Sequence, residues 1–429
     1  MGAKRNIELP RTANRKKEEY KYFVGTTLKN PLDYAVGERI VFKIRPKFMD
    51  GYLDIPYIWY SLVAEHGEMK DGYLGKSEDG WFYVESSLSE NGFVYLTARA
   101  CDENKRVIED IEAFNGSAGA DVNLIRRATR TPRDYTEFWR SLEKAVEQTD
   151  KEILFSEWID DPENPDFIAY NMRIKAPGSE YASFSVAYPR DAKPGELKLA
   201  MLFQGYGVRS APPHLLDGYL TVHVNAHPIP NGQSEEFYEE LSRGILKDYG
   251  YDEKENERPE TTYFAKMLLR DLAVLYFIKD HELLNKKDYV FVGSSQGGMQ
   301  ACNMAAHFDR ASALLMVVPW LSDVYGHELG GRRENTMPKG EGIIYFDTAV
   351  AAELLKCPVY MISGLGDIVC NSSTQMALYN SIDARKYCEF YQNRTHSLRV
   401  PWDNNVSMLG DDGLVEAFKE HLGEYYNWN

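Results

Sequence analysis

A serine at a tight turn is the first feature of this sequence that could do chemistry. Ser295 is central in Gly293-Ser294-Ser295-Gln296-Gly297, which has the form G-x-S-x-G. The apolar run Tyr289–Val292 precedes this turn, and a helix-like stretch follows it. A serine on such a strained strand-to-helix turn is exposed above the edge of a sheet, where it can attack a carbonyl carbon. The pattern predicts that Ser295 is a nucleophile. The alternatives are that it only caps the helix, or that Ser294 is the nucleophile.

A serine nucleophile needs a general base, and a histidine later in the chain could supply it. His396 lies in the loop that follows the apolar segment Tyr387–Gln392, so a strand would deliver it to the sheet edge. His307 and His421 fall in helix-like segments, and we expect His307 to point away from the cleft. His327 lies in a polar segment and is the weaker competitor. We predict that His396 is the base.

The base in turn needs an acid that orients it, and Asp367 is the candidate. It lies in the segment GLGDIVC, directly after an apolar run that predicts a strand. Ligands of open α/β folds bind at the carboxyl edge of the sheet, which is where this carboxylate would be placed. Asp383, one helix later, is the alternative. The order is then Ser295, Asp367, His396.

Two backbone amides are candidates for holding the negative charge of a tetrahedral intermediate. The N–H of Gln296 opens the helix after the serine, and Tyr206 lies in the segment FQGYG after the apolar run Leu197–Phe203. Donors aimed at the developing oxyanion lower the barrier of acyl transfer. We predict an oxyanion hole formed by Tyr206 and Gln296. The alternative for Tyr206 is a packed loop aromatic.

The elements that would position these residues predict two domains after a disordered segment at residues 1–19. Residues 20–125 contain short aromatic and β-branched runs separated by Asp-Gly and Asn-Gly turns, which predicts a small immunoglobulin-like β-sandwich. Residues 126–429 contain a hairpin and then compact apolar runs alternating with helical stretches, which predicts a mostly parallel sheet covered on both faces. The sandwich has no catalytic cluster. It could cap the fold, form a dimer, or bind sugar or a partner.

A helix is predicted between the two domains, with Thr131 as N-cap and Pro132 at its first position. One face is apolar at helical spacing, which we interpret as core packing. The residues of this face are Tyr135, Phe138, Trp139, Leu142, Ala145 and Val146.

Composition limits the classes of function. The chain has 429 residues, a formal net charge of -16 and 44% hydrophobic residues, which is typical of a globular protein. That charge argues against a nucleic-acid partner. The 5 cysteines show no CxxC spacing, so we expect neither a disulfide scaffold nor a zinc site. We found no apolar run of membrane-spanning or signal-peptide length and expect a cytoplasmic protein, with secretion or the periplasm as the alternative if a signal was removed.

Together these motifs resemble the acetyl xylan esterase/cephalosporin C deacetylase family of α/β-hydrolases, from about Tyr135 to the carboxyl end. The segments GSSQGG and GLGDIVC fit the family's nucleophile and acid motifs, and FQGYG is similar to its H-G-Y-G loop. The chain departs from the family at Gln204 (usually His), Asn231 (usually Arg), Ser397 (usually Glu) and 371–373 (usually prolines). The added sandwich is absent from the compact members.

The resemblance implies a serine esterase that removes O-acetyl groups from carbohydrates through an acetyl-enzyme, with Tyr206 and Gln296 in the oxyanion hole. We expect an acetylated oligosaccharide or another small acetyl ester as the partner, no metal or organic cofactor, and a homo-oligomer. A peptidase of the prolyl-oligopeptidase type and a non-catalytic glycan-binding relative are the alternatives.

Overall fold

A ten-stranded mixed sheet forms the centre of the larger part of the molecule. The structure is a computed structural model that describes residues 20–67, 69–333, 337–397 and 405–422, so the segment 1–19 lies outside the described residues. In order across the sheet, the strands are β10 (Ile153–Trp158), β11 (Phe167–Ile174), β12 (Ala182–Pro189), β14 (Tyr219–Val224), β13 (Leu197–Phe203), β15 (Leu284–Ser294), β16 (Ala311–Val317), β17 (Val359–Gly364), β18 (Lys386–Tyr391) and β19 (Val406–Gly410). The strands from β14 to β18 in this order pair in parallel, while β10–β12 and β19 add antiparallel edges. The predicted parallel sheet and its hairpin are confirmed.

The α-helices are α1 (Tyr135–Gln148), α2 (Glu235–Arg243), α3 (Tyr263–Ile278), α4 (Gln296–His307), α5 (Gly326–Gly330), α6 (Thr348–Ala351), α7 (Ser372–Ser381) and α8 (Gly413–Leu422).

Both faces of the central strands are buried, which explains their continuous apolar runs. Leu199 and Met201 of β13 pack into the large core formed with α1, α3 and α4, whereas Ala200 and Leu202 pack into a second core on the opposite face. Leu414 of α8 belongs to that second core. A strand whose alternate residues face two apolar layers needs no polar positions. This layering places the carboxyl ends of β13, β15, β17 and β18 along one edge.

Two further sheets precede this domain and share one core. Their strands are β1 (Lys21–Thr27), β2 (Ile40–Phe48), β3 (Gly51–Tyr52), β4 (Tyr57–Ala64), β5 (Met69–Gly75), β6 (Phe82–Ser86), β7 (Gly92–Cys101), β8 (Ile111–Glu112) and β9 (Phe114–Ala120). One sheet is β3-β2-β1-β8 with β6 on β2, and the other is β5-β4-β7-β9. Phe23 and Phe42 of the first sheet pack against Leu62 and Phe114 of the second. The predicted all-β sandwich is confirmed, and β9 forms one edge of it.

The helix between the two parts starts later than the sequence predicts. Helix α1 begins at Tyr135 with Asp134 as its N-cap, so the prediction of Thr131 as N-cap is wrong. The Thr131 hydroxyl instead accepts a hydrogen bond from Arg127 at 2.8 Å. The predicted apolar face is buried at Tyr135, Phe138, Trp139, Leu142 and Val146. Within the described residues, no helix is long and apolar enough to cross a membrane.

Candidate active site

Ser295 occupies the turn between β15 and α4 in a strained backbone conformation. Its φ of 54° and ψ of -118° lie in a region that L-residues rarely adopt. Such strain costs about 1–3 kcal/mol and persists only where neighbouring contacts hold it. The Ser295 amide donates to the carbonyl of Val317 at 2.8 Å, and the Ser295 carbonyl accepts from the amide of Trp320 at 3.0 Å. Strand β16 and the loop after it therefore hold the turn in place.

The glycines on either side of Ser295 are required by close backbone contacts. A Cβ at Gly293 would overlap the carbonyl oxygen of Gly297, and a Cβ at Gly297 would overlap the carbonyl oxygen of Phe203 in β13. Only a residue without a side chain fits either position. The G-x-S-x-G pattern thus has a local steric cause in this chain.

The structure brings Ser295, His396 and Asp367 together in one hydrogen-bonded row. The distance from Ser295 Oγ to His396 Nε2 is 2.9 Å, and that from His396 Nδ1 to Asp367 Oδ2 is 2.8 Å. The Asp367 side chain is fully buried, whereas that of His396 is 28% exposed. The second carboxylate oxygen of Asp367 accepts from the amides of Val369 and Cys370 at 2.8 and 2.9 Å. The acid is thereby fixed by its own loop, and the base lies between it and the serine.

The alternative candidates for the base and the acid do not belong to this hydrogen-bonded row. His307 is half-buried at the end of α4, where its ring stacks on Trp139 with the centroids 3.8 Å apart. His327 is exposed, and its Nδ1 contacts the carbonyl of Arg332 at 2.8 Å. Asp383 is exposed after α7. The side chain of His421 lies outside the described residues.

The loop after β13 lies close to the turn that carries Ser295. A Cβ at Gly205 would lie 3.6 Å from the Cβ of Ser295. Gln296 is the first residue of α4, so its amide is one of those that a helix leaves without an intrahelical acceptor. The amides of Tyr206 and Gln296 therefore belong to the two segments that flank Ser295. Gln204 lies in the same loop. Among the described residues, its side-chain Nε2 finds no hydrogen-bond partner.

Tyr249, which the sequence analysis missed, connects these two segments. Its hydroxyl donates to Gln296 Oε1 at 2.9 Å and accepts from the Gly207 amide at 3.0 Å. Its ring stacks on that of Tyr206 with centroids 4.3 Å apart. Burial raises the pKa of the Tyr249 hydroxyl, so it remains a donor at any working pH. Tyr249 lies more than forty residues from either segment in the chain, and no local pattern marks it.

His227 hydrogen-bonds to the loop that follows β13. Its Nε2 lies 3.1 Å from the Gly207 carbonyl and its Nδ1 lies 2.7 Å from the Tyr263 hydroxyl. Burial lowers the pKa of His227 to about 4, so the ring is neutral near pH 7. A neutral imidazole can donate to Gly207 through Nε2 while Nδ1 accepts from Tyr263. Arg209 also donates to the carbonyls of Gly205 and Tyr206, at 3.2 and 2.6 Å.

Exposed apolar side chains lie beside the row of three residues. Tyr206 and Tyr251 are 40% and 38% exposed, with ring centroids 6.1 Å apart. Ile368, which directly follows Asp367, is 53% exposed. Burial raises the pKa of Tyr206 to about 12, so its hydroxyl is also protonated. These side chains offer flat apolar surface to a molecule that reaches Ser295.

Three side chains of types that can bind a metal ion lie together at this site. Atoms of Asp367, Cys370 and His396 lie within 4.8 Å of one another. Burial, and then the charge of Asp367, raises the pKa of the Cys370 thiol well above its usual value. Within this group, His396 Nδ1 and Asp367 Oδ2 are hydrogen-bonded to each other at 2.8 Å.

A serine elbow, a histidine and a buried aspartate at the carboxyl edge of a mostly parallel sheet define the fold as that of an α/β-hydrolase. Sequence comparison agrees: residues 121–328 and 329–408 match the family model described as acetyl xylan esterase (AXE1). The chain belongs to this family.

Individual relatives are distant. The chain is 24% identical over 290 residues to the acetyl esterase Axe7A of Xylanibacter ruminicola, a match that covers 62% of this chain and 64% of that protein. The fold is similar to an acetyl xylan esterase from Paenibacillus sp. R4, with a TM-score of 0.53 and 17% identity over 71% of this chain and 98% of the other. Acetyl xylan esterase 1 from Thermoanaerobacterium sp. JW/SL YS485 gives a TM-score of 0.50 and 18% identity, with the same coverage.

Proposed function

We propose that this protein is a serine esterase that removes O-acetyl groups from carbohydrates. The observation that carries the proposal is the hydrogen-bonded row Ser295–His396–Asp367, with distances of 2.9 and 2.8 Å. Family membership supports the ester class of substrate. The relative from Xylanibacter ruminicola bears the name acetyl esterase, and this supports acetyl as the acyl group.

In the first half of the reaction, Ser295 Oγ attacks the carbonyl carbon of the acetyl ester. His396 Nε2 takes the serine proton while its Nδ1–H donates to Asp367, which keeps the ring in the accepting tautomer. The tetrahedral intermediate then collapses, and the bond to the sugar oxygen breaks. His396 gives its proton to that oxygen, so the sugar leaves as a neutral alcohol and the acetyl group remains on Ser295.

In the second half, a water molecule replaces the sugar. His396 takes a proton from the water as it attacks the acetyl carbonyl, and returns a proton to Ser295 Oγ when the ester bond to the enzyme breaks. The products are acetate and the free serine. The whole cycle consumes one ester and one water and releases the sugar alcohol and acetate.

The amides of Tyr206 and Gln296 would stabilise the oxyanion in both halves. Each donor of this kind lowers the barrier by about 3 kcal/mol. Tyr249 supports this role because its hydroxyl contacts both flanking segments, at 2.9 and 3.0 Å. The exposed rings of Tyr206 and Tyr251 offer faces on which a sugar ring can stack.

A substrate panel tests this proposal. Purified protein is incubated with acetylated xylo-oligosaccharides, acetylated monosaccharides, p-nitrophenyl acetate and short proline-containing peptides, and acetate or peptide cleavage is measured. We expect acetate release from the sugars and none from S295A. Peptide cleavage without acetate release would instead establish a peptidase, and sugar binding without turnover would establish a non-catalytic glycan-binding protein.

A further inference from the structure

The loops that carry Asp367 and His396 both contact the β-sandwich. Much of this contact involves β9, an edge strand of the four-stranded sheet, and Phe23 and Glu65 of the sandwich also take part. An edge strand presents unpaired N–H and C=O groups that must find partners when they are buried. At Asn115 and Ser117 of β9 those partners come from the loop of the base, whereas the Gly119 amide donates to the Pro31 carbonyl at 2.8 Å.

The loop of the base is joined to β9 by two side-chain amides. Gln392 accepts from the Ser117 amide at 3.1 Å and donates to the Ser117 carbonyl at 3.0 Å, as a neighbouring strand would. Asn393 accepts from the Asn115 amide and donates to the Phe23 carbonyl, both at 2.8 Å. Gln392 is only 2% exposed. These residues precede His396 by four and three positions, so the loop leaves the sandwich and reaches the base directly.

The loop of the acid is joined to the sandwich by serine hydroxyls. Ser372 Oγ lies 2.8 Å from Ser117 Oγ, and Ser373 Oγ donates to the carboxylate of Glu65 at 2.5 Å. Both serines are fully buried at the start of α7. A Cβ at Gly366, the residue before Asp367, would overlap the carbonyl oxygen of Asn115. The backbone next to the acid therefore rests against β9 itself.

Ser117 joins the two loops. Its backbone pairs with Gln392 on the base side, and its hydroxyl contacts Ser372 on the acid side. All three residues are at least nine-tenths buried. A buried amide that loses its partner costs about 1–3 kcal/mol, so these contacts resist independent movement of the loops.

We propose that the β-sandwich is a working part of the active site, and that Gln392 is a positioning residue which holds His396 against Asp367 and Ser295. This inference rests on the proposed function, because it assigns the contact a role in ester hydrolysis. Proton transfer depends on the heavy-atom distances within the row of three residues, and a displacement of about 1 Å can cost about 100-fold in rate. The sandwich fixes those distances from outside the catalytic domain.

Q392A tests the proposal in the full-length protein. Hydrolysis of p-nitrophenyl acetate is measured well below the unfolding temperature, and folding is checked by circular dichroism. We expect kcat to fall about 10- to 100-fold with little change in KM, because the variant moves the base without removing any group that touches the ester. We also expect the wild type to show a low-field proton resonance from His396 Nδ1–H, and we expect that resonance to broaden or disappear in Q392A.

N380A is the matched control. Asn380 lies on α7, eight residues and about two helical turns after Ser372. Its side chain donates to the carbonyls of Val122 and Ile125 at 2.9 Å, so it holds α7 against the segment that follows the sandwich. We expect N380A to lower the unfolding temperature while leaving kcat and the low-field resonance unchanged. If Q392A does not fold, Q392M carries the same test, because it keeps the length of the side chain but removes both hydrogen bonds to Ser117.

Wild-type kcat together with an unchanged His396 resonance in folded Q392A, or in folded Q392M where Q392A does not fold, would overturn the positioning role, even if the unfolding temperature drops. Failure of the proposed function gives a different result. The wild-type protein would then release no acetate, while the proton resonance would still report whether Gln392 holds the base.

Discussion

At the scale of single residues, the backbone of the turn decides which serine can act. Ser294 is the last residue of β15 and pairs in register with Val317, as an ordinary strand residue does. Ser295 has a positive φ, and its hydroxyl contacts His396. The two serines are neighbours in the chain, and only the conformation of the turn separates their roles.

The role of Asp367 in orienting His396 can be tested by comparing D367N with D383N. D367N replaces the carboxylate with an amide that can donate to His396 Nδ1, so the ring then presents Nε2–H to Ser295 and cannot accept its proton. We expect kcat for p-nitrophenyl acetate to fall by about 10⁴-fold with folding retained. D383N changes the competing, exposed aspartate and should leave kcat at the wild-type value. The reverse pattern would move the acid to Asp383.

At the scale of elements, signals that are local in sequence predict structure well. The elbow follows from its glycines, and the strands of the central sheet follow from continuous apolar runs that both layers bury. Helix α1 was misplaced by three residues, because a Thr-Pro pair and Asp134 give similar start signals. The edge strands β10 and β19 were missed, since neither is a compact apolar run.

Contacts between distant segments could not be predicted from the sequence. Tyr249 contacts Gly207 and Gln296, and Gln392 contacts Ser117, across separations of 42, 47 and 275 residues. A single tyrosine or glutamine has no spacing that reveals such a partner. Two of the positions where the chain departs from its family, Ser372 and Ser373, contact the sandwich in the folded structure.

Tyr249 gives the prediction at this scale. Y249F removes the hydroxyl that connects the loop after β13 to the start of α4, so the two amides that flank Ser295 lose a shared support. We expect kcat to fall about tenfold with KM nearly constant. Y238F is the control, because the Tyr238 hydroxyl donates to the Pro230 carbonyl at 2.9 Å and accepts from the Gln233 amide at 3.1 Å, and both of these residues lie outside this loop. Equal rates in Y249F and Y238F would argue against this role for Tyr249.

At the scale of the whole molecule, histidines that are largely shielded from water tie the free energy of unfolding to pH. Burial lowers the pKa of His307 from its ordinary value of 6.5 to about 3. The unfolded chain therefore takes up a proton that the folded protein does not, and stability falls as pH decreases below 6.5. His223, with a pKa lowered by burial to about 4, acts in the same direction. Asp271, whose pKa burial raises to about 7, acts in the opposite direction between pH 4 and 7.

The variant H307F isolates one of these groups. It keeps an aromatic ring against Trp139 but cannot take up a proton. Between pH 7 and pH 5 the wild type should lose about 2 kcal/mol of unfolding free energy more than the variant does. Denaturant unfolding of both proteins at the two pH values measures this difference, and the other buried groups cancel because both proteins contain them. The same pH dependence in both proteins would contradict the assignment.

The reactivity of Ser295 is the most direct test of the account as a whole. The protein is treated with a fluorophosphonate, which labels only activated serines, and the modified peptide is identified by mass spectrometry. We expect a single label on Ser295, which is lost in S295A and strongly slowed in H396A, while S294A is labelled like the wild type. Labelling of Ser294 instead, or no labelling of the folded wild-type protein, would contradict it.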